Sequence, residues 1–194
     1  MSRTVADVVA DLGGFREARV VGSRRAGPDG VDTLNALFHA RLAAPGPAFR
    51  LRVGEPVMWV KNDCDRDLFN GTMGYVTDAQ IDGRFSVDFD GRVLELGPDD
   101  LDSIELAYAA TAHKLQGSSF PRVVVPVLSN RNMDRTLIYT AITRAQIQVV
   151  LVGDPKHIAG IIEAPPRPSI REVGFGRAAL ELPSREPGRM GSDG

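Results

Sequence analysis

Cysteine is nearly absent from this sequence: Cys64 stands alone among 194 residues. One thiol can build no disulfide framework and no zinc cluster within the chain, and such sparse cysteine suits a reducing, cytoplasmic setting. No apolar run reaches about 18 residues, the length at which a helix crosses a bilayer. The opening stretch MSRTVADVVA carries Asp7 where the apolar core of a secretion signal belongs. Strong charge of either sign is also lacking. The net charge is −2, so contact with nucleic acid has to come from a local basic face. Two further absences bear on phosphate chemistry. A phosphate-cradling loop, G-x-x-x-x-G-K-[ST], needs a Gly-Lys pair, and the sequence has none. No strand ends in Asp-Glu to hold Mg²⁺. There is no internal repeat and no long low-complexity tract.

What is present reads as an ordinary globular chain, 43% hydrophobic and 25% charged, long enough for one or two domains with a real core. VADVVADL places Val5, Val8, Val9 and Leu12 on one helical face, ended by Gly13-Gly14. ARVVGS reads as a short buried strand. GVDTLNALFHARL spaces Val31, Leu34, Phe38 and Leu42 as a helix does, until Pro45 and Pro47 break the pattern. From about Leu51 the texture changes to short alternating strands joined by Asn-Gly and Asp-Gly pairs, which predicts a small antiparallel barrel of about five strands ending near Leu106. Then VVVPVL and VVLVGD appear, the continuous apolar runs of parallel strands covered on both faces. RTLIYTAITRA forms a helix between them. PKHIAGII is a final helix with Asp154 as N-cap and Pro155 at its first position. The Pro-, Arg-, Gly- and Ser-rich stretch from Pro165 reads as a flexible tail, 165–194. An α/β unit is thus interrupted by a β unit and then resumed: 1–50 and 107–164 on one side, 51–106 on the other.

Two polar segments sit beside the most apolar strands: TAHKLQGSSF at 111–120 and YTAITRA at 139–145. The first offers backbone N–H groups near Gly117, two hydroxyls, the Gln116 amide and the basic or titratable His113 and Lys114. That is an inventory for phosphate or sugar oxygens. The second ends in Arg144, a permanently charged planar guanidinium that can meet a phosphate. Each has a plainer reading as well. Thr111 can cap a helix, and an Arg at a helix C-terminus can answer the helix dipole. In the β unit, Trp59, Lys61, Asn62, Phe69, Asn70 and Tyr75 could present bases with an aromatic, basic surface, although alternation equally places Trp59 and Tyr75 in the core. His39 and His157 read as structural.

AYAATAHKLQGSSFPRVVVPVL followed by RTLIYTAITRAQIQVVLVGD resembles motifs V and VI of the C-terminal motor domain of UvrD/RecD-like superfamily 1 DNA helicases, most closely the RecD-like ones. GVDTLNALFHARL resembles the segment after motif IV, and VGEPVMWVKN…FNGTMGYV resembles the SH3-like barrel inserted in that domain. The resemblance covers about residues 15 to 160. It implies a fold: an α/β, RecA-like parallel sheet with helices on both faces, of P-loop NTPase type but lacking its own P-loop, interrupted by a small SH3-like β-barrel. It also implies roles. Arg144 would contact the γ-phosphate of ATP. Gln116, Gly117 and Ser118 would lie at the nucleotide edge, and Arg24 or Arg25, with Arg25 preferred, would face a phosphate. Thr111 and His113 would face single-stranded DNA, and Lys61, Asn62 and Asn70 would extend that track. Where the family commonly has Gly-Ser-Glu-Phe, this chain has Gly117-Ser118-Ser119-Phe120, so the carboxylate expected at the nucleotide sugar is missing. The implied protein is part of an ATP-dependent 5′–3′ DNA helicase of repair and recombination. It would bind ATP and Mg²⁺ only when completed by an N-terminal RecA-like domain or subunit carrying the P-loop, and it would be monomeric and without ATPase activity alone. The competing expectation is a stand-alone helicase-like module that binds single-stranded DNA or a protein without motor activity. A weaker one is an RNA-directed member of the same superfamily.

Overall fold

The computed structural model describes residues 4–27, 30–42, 50–127 and 133–164; the stretch 165–194, expected as a tail, lies outside them. In chain order the elements are α1 (Val5–Asp11), β1 (Ala18–Gly22), α2 (Val31–Leu42), β2 (Pro56–Trp59), β3 (Met73–Ala79), β4 (Phe85–Phe89), β5 (Arg92–Leu96), a 3₁₀ turn (Pro98–Ser103), β6 (Ile104–Leu106), β7 (Ala109–Thr111), β8 (Phe120–Val127), α3 (Arg135–Ile142), β9 (Ala145–Gly153) and α4 (Pro155–Glu163). They form two sheets. One is parallel throughout, in the order β7-β1-β8-β9; the other is antiparallel, in the order β5-β4-β3-β2-β6.

The parallel sheet explains its own valines. Along β8, Val123, Val125 and Val127 enter the core beneath α3 and α4, while Val124 enters the opposite core with Val9 of α1 and Val31 and Phe38 of α2. Val20 and Val21 of β1 divide the same way. A strand covered on both faces needs apolar residues at every position, and the helices on both faces supply that cover. Local signals set the helix starts. Thr4 and Asp7 form a reciprocal capping box on α1. Asp134 caps α3 through the Leu137 N–H at 2.8 Å. Asp154 caps α4, with Pro155 in its first turn as the sequence predicts.

The antiparallel sheet encloses a separate core of Val57, Trp59, Leu68, Val76, Phe85, Val87, Phe89 and Ile104. Trp59 is 2% exposed, which decides its role as core. The two-residue link from β4 to β5 is Asp90-Gly91, with φ of 59° and 88°. Both central residues therefore take the positive φ that a type I′ hairpin turn requires. Gly74 of β3 is required for close approach: a Cβ there would lie 2.6 Å from Val87 Cγ1 and 2.8 Å from the Asp88 carbonyl. β5 and β6 form the two edges of this sheet.

Strand β2 joins the two units. Val57 and Trp59 face the antiparallel core, while Met58, on the reverse face, packs with Val21, Ala107 and Leu115 of the parallel unit. All four β2 residues are buried. Polar clamps reinforce the joint. Arg19, buried on β1, donates to the Ala107 carbonyl and to Tyr75 Oη at 3.2 Å, and its guanidinium lies over the Phe120 ring. Its burial lowers its pKa from the usual arginine value. Glu55, 1% exposed, accepts from Tyr108 Oη at 2.8 Å and from the Arg52 N–H at 2.7 Å, and meets His39 Nδ1 at 2.5 Å. That buried environment and the Glu55 hydrogen bond raise the Tyr108 pKa far above the usual phenol value.

Candidate functional site

The polar segment after β7 folds into a tight turn. The Leu115 N–H returns to the Thr111 carbonyl at 3.2 Å, and the Lys114 N–H approaches Thr111 Oγ1 at 3.4 Å. Thr111 therefore does cap, but it caps a turn rather than a long helix. Leu115 is fully buried and anchors that turn in the core. Gly117, at φ 91°, reverses the chain toward β8. The exposed side of the turn is left to His113 and Gln116.

Helix α3 presents a matching polar stripe. Thr136, Thr140 and Thr143 follow at helical spacing, and the hydroxyls of the last two donate back to the Thr136 and Thr140 carbonyls, each at 2.8 Å. Between stripe and turn lies a cleft of about 580 Å³, where Thr111, His113 and Gln116 meet Thr140 and Arg144. Two segments separated in sequence by a whole strand thus share one wall-to-wall groove. Arg144 stands just past the end of α3. Its guanidinium makes two long contacts, 3.4 Å to the Ser118 carbonyl and 3.4 Å to Thr143 Oγ1, and its Nε is buried without a partner. Among the described residues no carboxylate pairs with it. Arg25, Arg66, Arg84 and Arg122 each have one. A half-buried guanidinium left so weakly satisfied is suited to an external anion.

The remaining candidates are distributed as follows. Ser118 does not line this cleft. With Ser119 and Phe120 it lines a second one of about 530 Å³, walled opposite by Arg16, Arg19 and Tyr75. Ser119 Oγ accepts from Gln146 Nε2 at 3.0 Å. Tyr75 is held by the parallel unit, donating to the Phe15 carbonyl at 2.9 Å beneath the Arg16 guanidinium. Lys61, Asn62 and Asn70 are exposed on the β2–β3 loop, beside Phe69, which is 52% exposed. Asn62 also shapes that loop, its Oδ1 accepting from the Asn70 N–H at 2.9 Å. The loop reaches the turn after β7: a Cβ at Gly71 would sit 3.5 Å from the Lys114 carbonyl. Arg25 lies away from the Arg144 cleft. Its guanidinium is engaged by Glu105 at 2.7 Å and by Asp32 at 3.3 Å, and the Glu105 bond raises its pKa further above the usual value. Arg24 packs against Gly27. His39 is structural, as expected.

Sequence reasoning passed over Glu105, the threonine stripe and the buried Glu55. The stripe was detectable, because polar residues at 136, 140 and 143 mark one face of a helix. The two glutamates carried no local signal, since the Arg25 partner of Glu105 lies 80 positions away and the His39 partner of Glu55 lies 16 away. Among the described residues no group of three or more His, Cys, Asp or Glu could hold a metal ion.

Residues 106–152 match the UvrD-like helicase C-terminal domain. An ATP-dependent RecD2 DNA helicase of Deinococcus radiodurans is 39% identical over 160 residues, covering 78% of this chain and 22% of that protein. A RecBCD enzyme subunit RecD of Mycolicibacterium smegmatis is 34% identical over 178 residues, covering 86% of this chain and 31% of that protein. The chain therefore spans less than a third of the length of these relatives. In fold it is similar to a Bacteroides Pif1 helicase solved with ADP-AlF3 and single-stranded DNA, at TM-score 0.54 and 21% identity, over 75% of this chain and 42% of that one. A Pif1 structure addressing unwinding at forked double-stranded DNA gives 0.56 and 21%, over 84% and 46%.

Proposed function

We propose that this chain, which carries the C-terminal domain of a superfamily 1 UvrD-like helicase in its RecD-like form, is the second motor domain of an ATP-dependent DNA helicase of 5′–3′ polarity, serving repair and recombination in the cytoplasm. In this reading 1–50 and 107–164 form the RecA-like unit, and 51–106 is an SH3-like barrel inserted in it. Arg144 is the motif VI arginine. The observation that carries the reading is its guanidinium, half-buried, without a carboxylate among the described residues, and sharing one cleft with Thr111, His113 and Gln116.

The fit to a nucleotide rests on that same orphaned Nε. A terminal phosphate offers the acceptors it lacks. Bound ATP supplies a cleavable phosphoanhydride. The chain supplies a fixed positive charge at the cleft wall, a contribution worth roughly 10³ to 10⁵ in rate in phosphoryl-transfer enzymes. Gln116, on the same cleft, orients polar atoms beside it, and Ser118 holds the guanidinium through its carbonyl. Thr111 and His113 face the DNA strand, extended by Lys61, Asn62 and Asn70. The P-loop and Mg²⁺ ligands belong to an N-terminal RecA-like domain or subunit, so ATP and Mg²⁺ bind only in the completed assembly. The chain alone is monomeric and hydrolyses no ATP.

The test is a titration of a fluorescent single-stranded oligonucleotide at several salt concentrations, with His113→Ala and Lys61→Ala alongside. Binding with a negative log–log salt slope, weakened by both substitutions, is expected. Absence of binding at low salt would overturn the strand track. Steady DNA-stimulated ATP turnover by the pure chain would overturn the half-motor reading. Strand binding that never supports turnover when a P-loop domain is added would favour a binding module instead.

A further inference from the structure

Glu105 is the meeting point of three elements. It lies on β6. Its Oε1 accepts from Arg25, in the loop after β1, at 2.7 Å, and its Oε2 accepts from Nζ of Lys114, in the turn after β7, at 2.6 Å. The three side chains are 34%, 59% and 30% exposed, so solvent and solutes reach the cluster. Partial burial pushes the Glu105 carboxyl upward, but the bonds and charges of Lys114 and Arg25 together outweigh it and the net shift is downward. Ion pairs this exposed add little to stability. The joint they straddle is already fastened by Met58, Arg19 and Glu55. Beside it, within the parallel unit, Asn35 ties α2 to β7 by bonds of 3.0 and 2.8 Å with the backbone of Ala109. A fastening role alone gives weak reason for two cations from separate loops to converge on one carboxylate.

Position supplies a better one. Lys114 follows His113 directly, and Thr111 lines both the Arg144 cleft and the small cavity beneath the Glu105 cluster. The exposed β2–β3 loop passes close to the Lys114 carbonyl, which a Cβ at Gly71 would meet at 3.5 Å. A carboxylate and a phosphate diester are alike in what they ask of Lys and Arg: charge-assisted N–H···O bonds.

We infer that Glu105 is an internal counter-ion that gives up Lys114 and Arg25 to a phosphate of the bound strand. The inference rests on the reading that Thr111 and His113 face nucleic acid. Without a strand, Glu105 offsets one of the two positive charges, Asp32 offsets the other, and Glu105 holds both side chains in place. With a strand, a phosphate replaces Glu105 at Lys114 first, because Asp32 still engages Arg25 at 3.3 Å. The carboxylate competes with the ligand, so it limits affinity and keeps the track from binding any polyanion tightly.

The experiment compares the full chain with Glu105→Gln, which keeps shape and an acceptor but removes the charge. Binding of a fluorescent oligo-dT is measured across a salt series. Glu105→Gln is expected to bind several-fold tighter, with a log–log salt slope steeper by about 0.7 for each phosphate gained. The gain should vanish in the Glu105→Gln, Lys114→Met double variant. Glu105→Ala is a second variant with the same expected gain, and a thermal melt of each confirms the fold. If the unsubstituted chain binds and both Glu105 variants bind equally or more weakly at unchanged slope, the counter-ion role is wrong and the strand reading stands. If the variants alone bind, Glu105 blocks the two cations rather than yielding them, and both the exchange and the strand track of the unsubstituted chain fall. If nothing binds, both fall.

Discussion

The two sheets solve the same problem by opposite means. The parallel sheet has its strands brought together from across the chain and relies on apolar cover from helices on both faces; its four strands carry almost no turn information of their own. The antiparallel sheet is assembled largely from neighbours in sequence, closes on its own core, and depends on backbone conformations that only a few residues tolerate. One unit is specified by side-chain patterning and the other largely by its turns and close approaches. The difference shows where each can be damaged, and β2, which belongs to both cores, is where damage is shared.

The largest test of this contrast pairs two neighbours on β2. Trp59→Ala empties the antiparallel core and should cost about 3–5 kcal/mol. Met58→Ala should cost about 2–5 kcal/mol, but from the parallel side, because Met58 packs on Leu115. Hydrogen exchange separates them: Met58→Ala should loosen the amides of the turn 111–117 at temperatures where Trp59→Ala leaves them protected. Equal loosening by both would mean that the two cores unfold as one. Next in size is Gly91→Val. A β-branched residue at φ 88° should destabilise by about 1–2 kcal/mol, read as a lower midpoint in urea. An unchanged midpoint would show that the hairpin turn does not govern this sheet. The smallest effect is electrostatic. The Glu105 carboxyl is lowered in the folded chain, so its contribution to stability is present above the usual glutamate value of about 4.3 and is lost as pH falls through the lower folded value. The stability gap between the unsubstituted chain and Glu105→Gln should therefore narrow below about pH 4. A gap independent of pH from 3 to 7 would mean that folding leaves the Glu105 carboxyl unshifted.

The same contrast explains how much was legible beforehand. The valine run of β8, the Asp154 cap and the Asp90-Gly91 turn are local signals, and the expected helices and parallel strands follow from them; β9, expected to be covered on both faces, is instead a partly exposed edge strand. Met58 illustrates what local reading misses. In an alternating strand it falls on the outward face and suggests exposure, yet it is 2% exposed because the other sheet covers it. Arg19, Glu55 and Glu105 are hidden for the same reason: each is charged, each is explained by partners distant in sequence, and nothing in its own neighbourhood announces them. At the site, the family resemblance assigned Arg144 and Gln116 to a nucleotide and Thr111 and His113 to DNA; that all four line one cleft is a feature of the fold that no local pattern carries. The engagement of Arg25 by Glu105 and Asp32 was not legible either, because Glu105 lies 80 positions away.

Only Ala107 and Tyr108 separate β6, an edge of one sheet, from β7, an edge of the other. Two residues leave no slack. A load applied to the antiparallel unit would pass along this near-continuous ribbon to Thr111 as tension rather than be absorbed by a slack linker, with Tyr108 and its buried glutamate bracing the splice. The antiparallel unit is therefore mounted less like a pendant than like the handle of a lever whose short arm ends at the cleft.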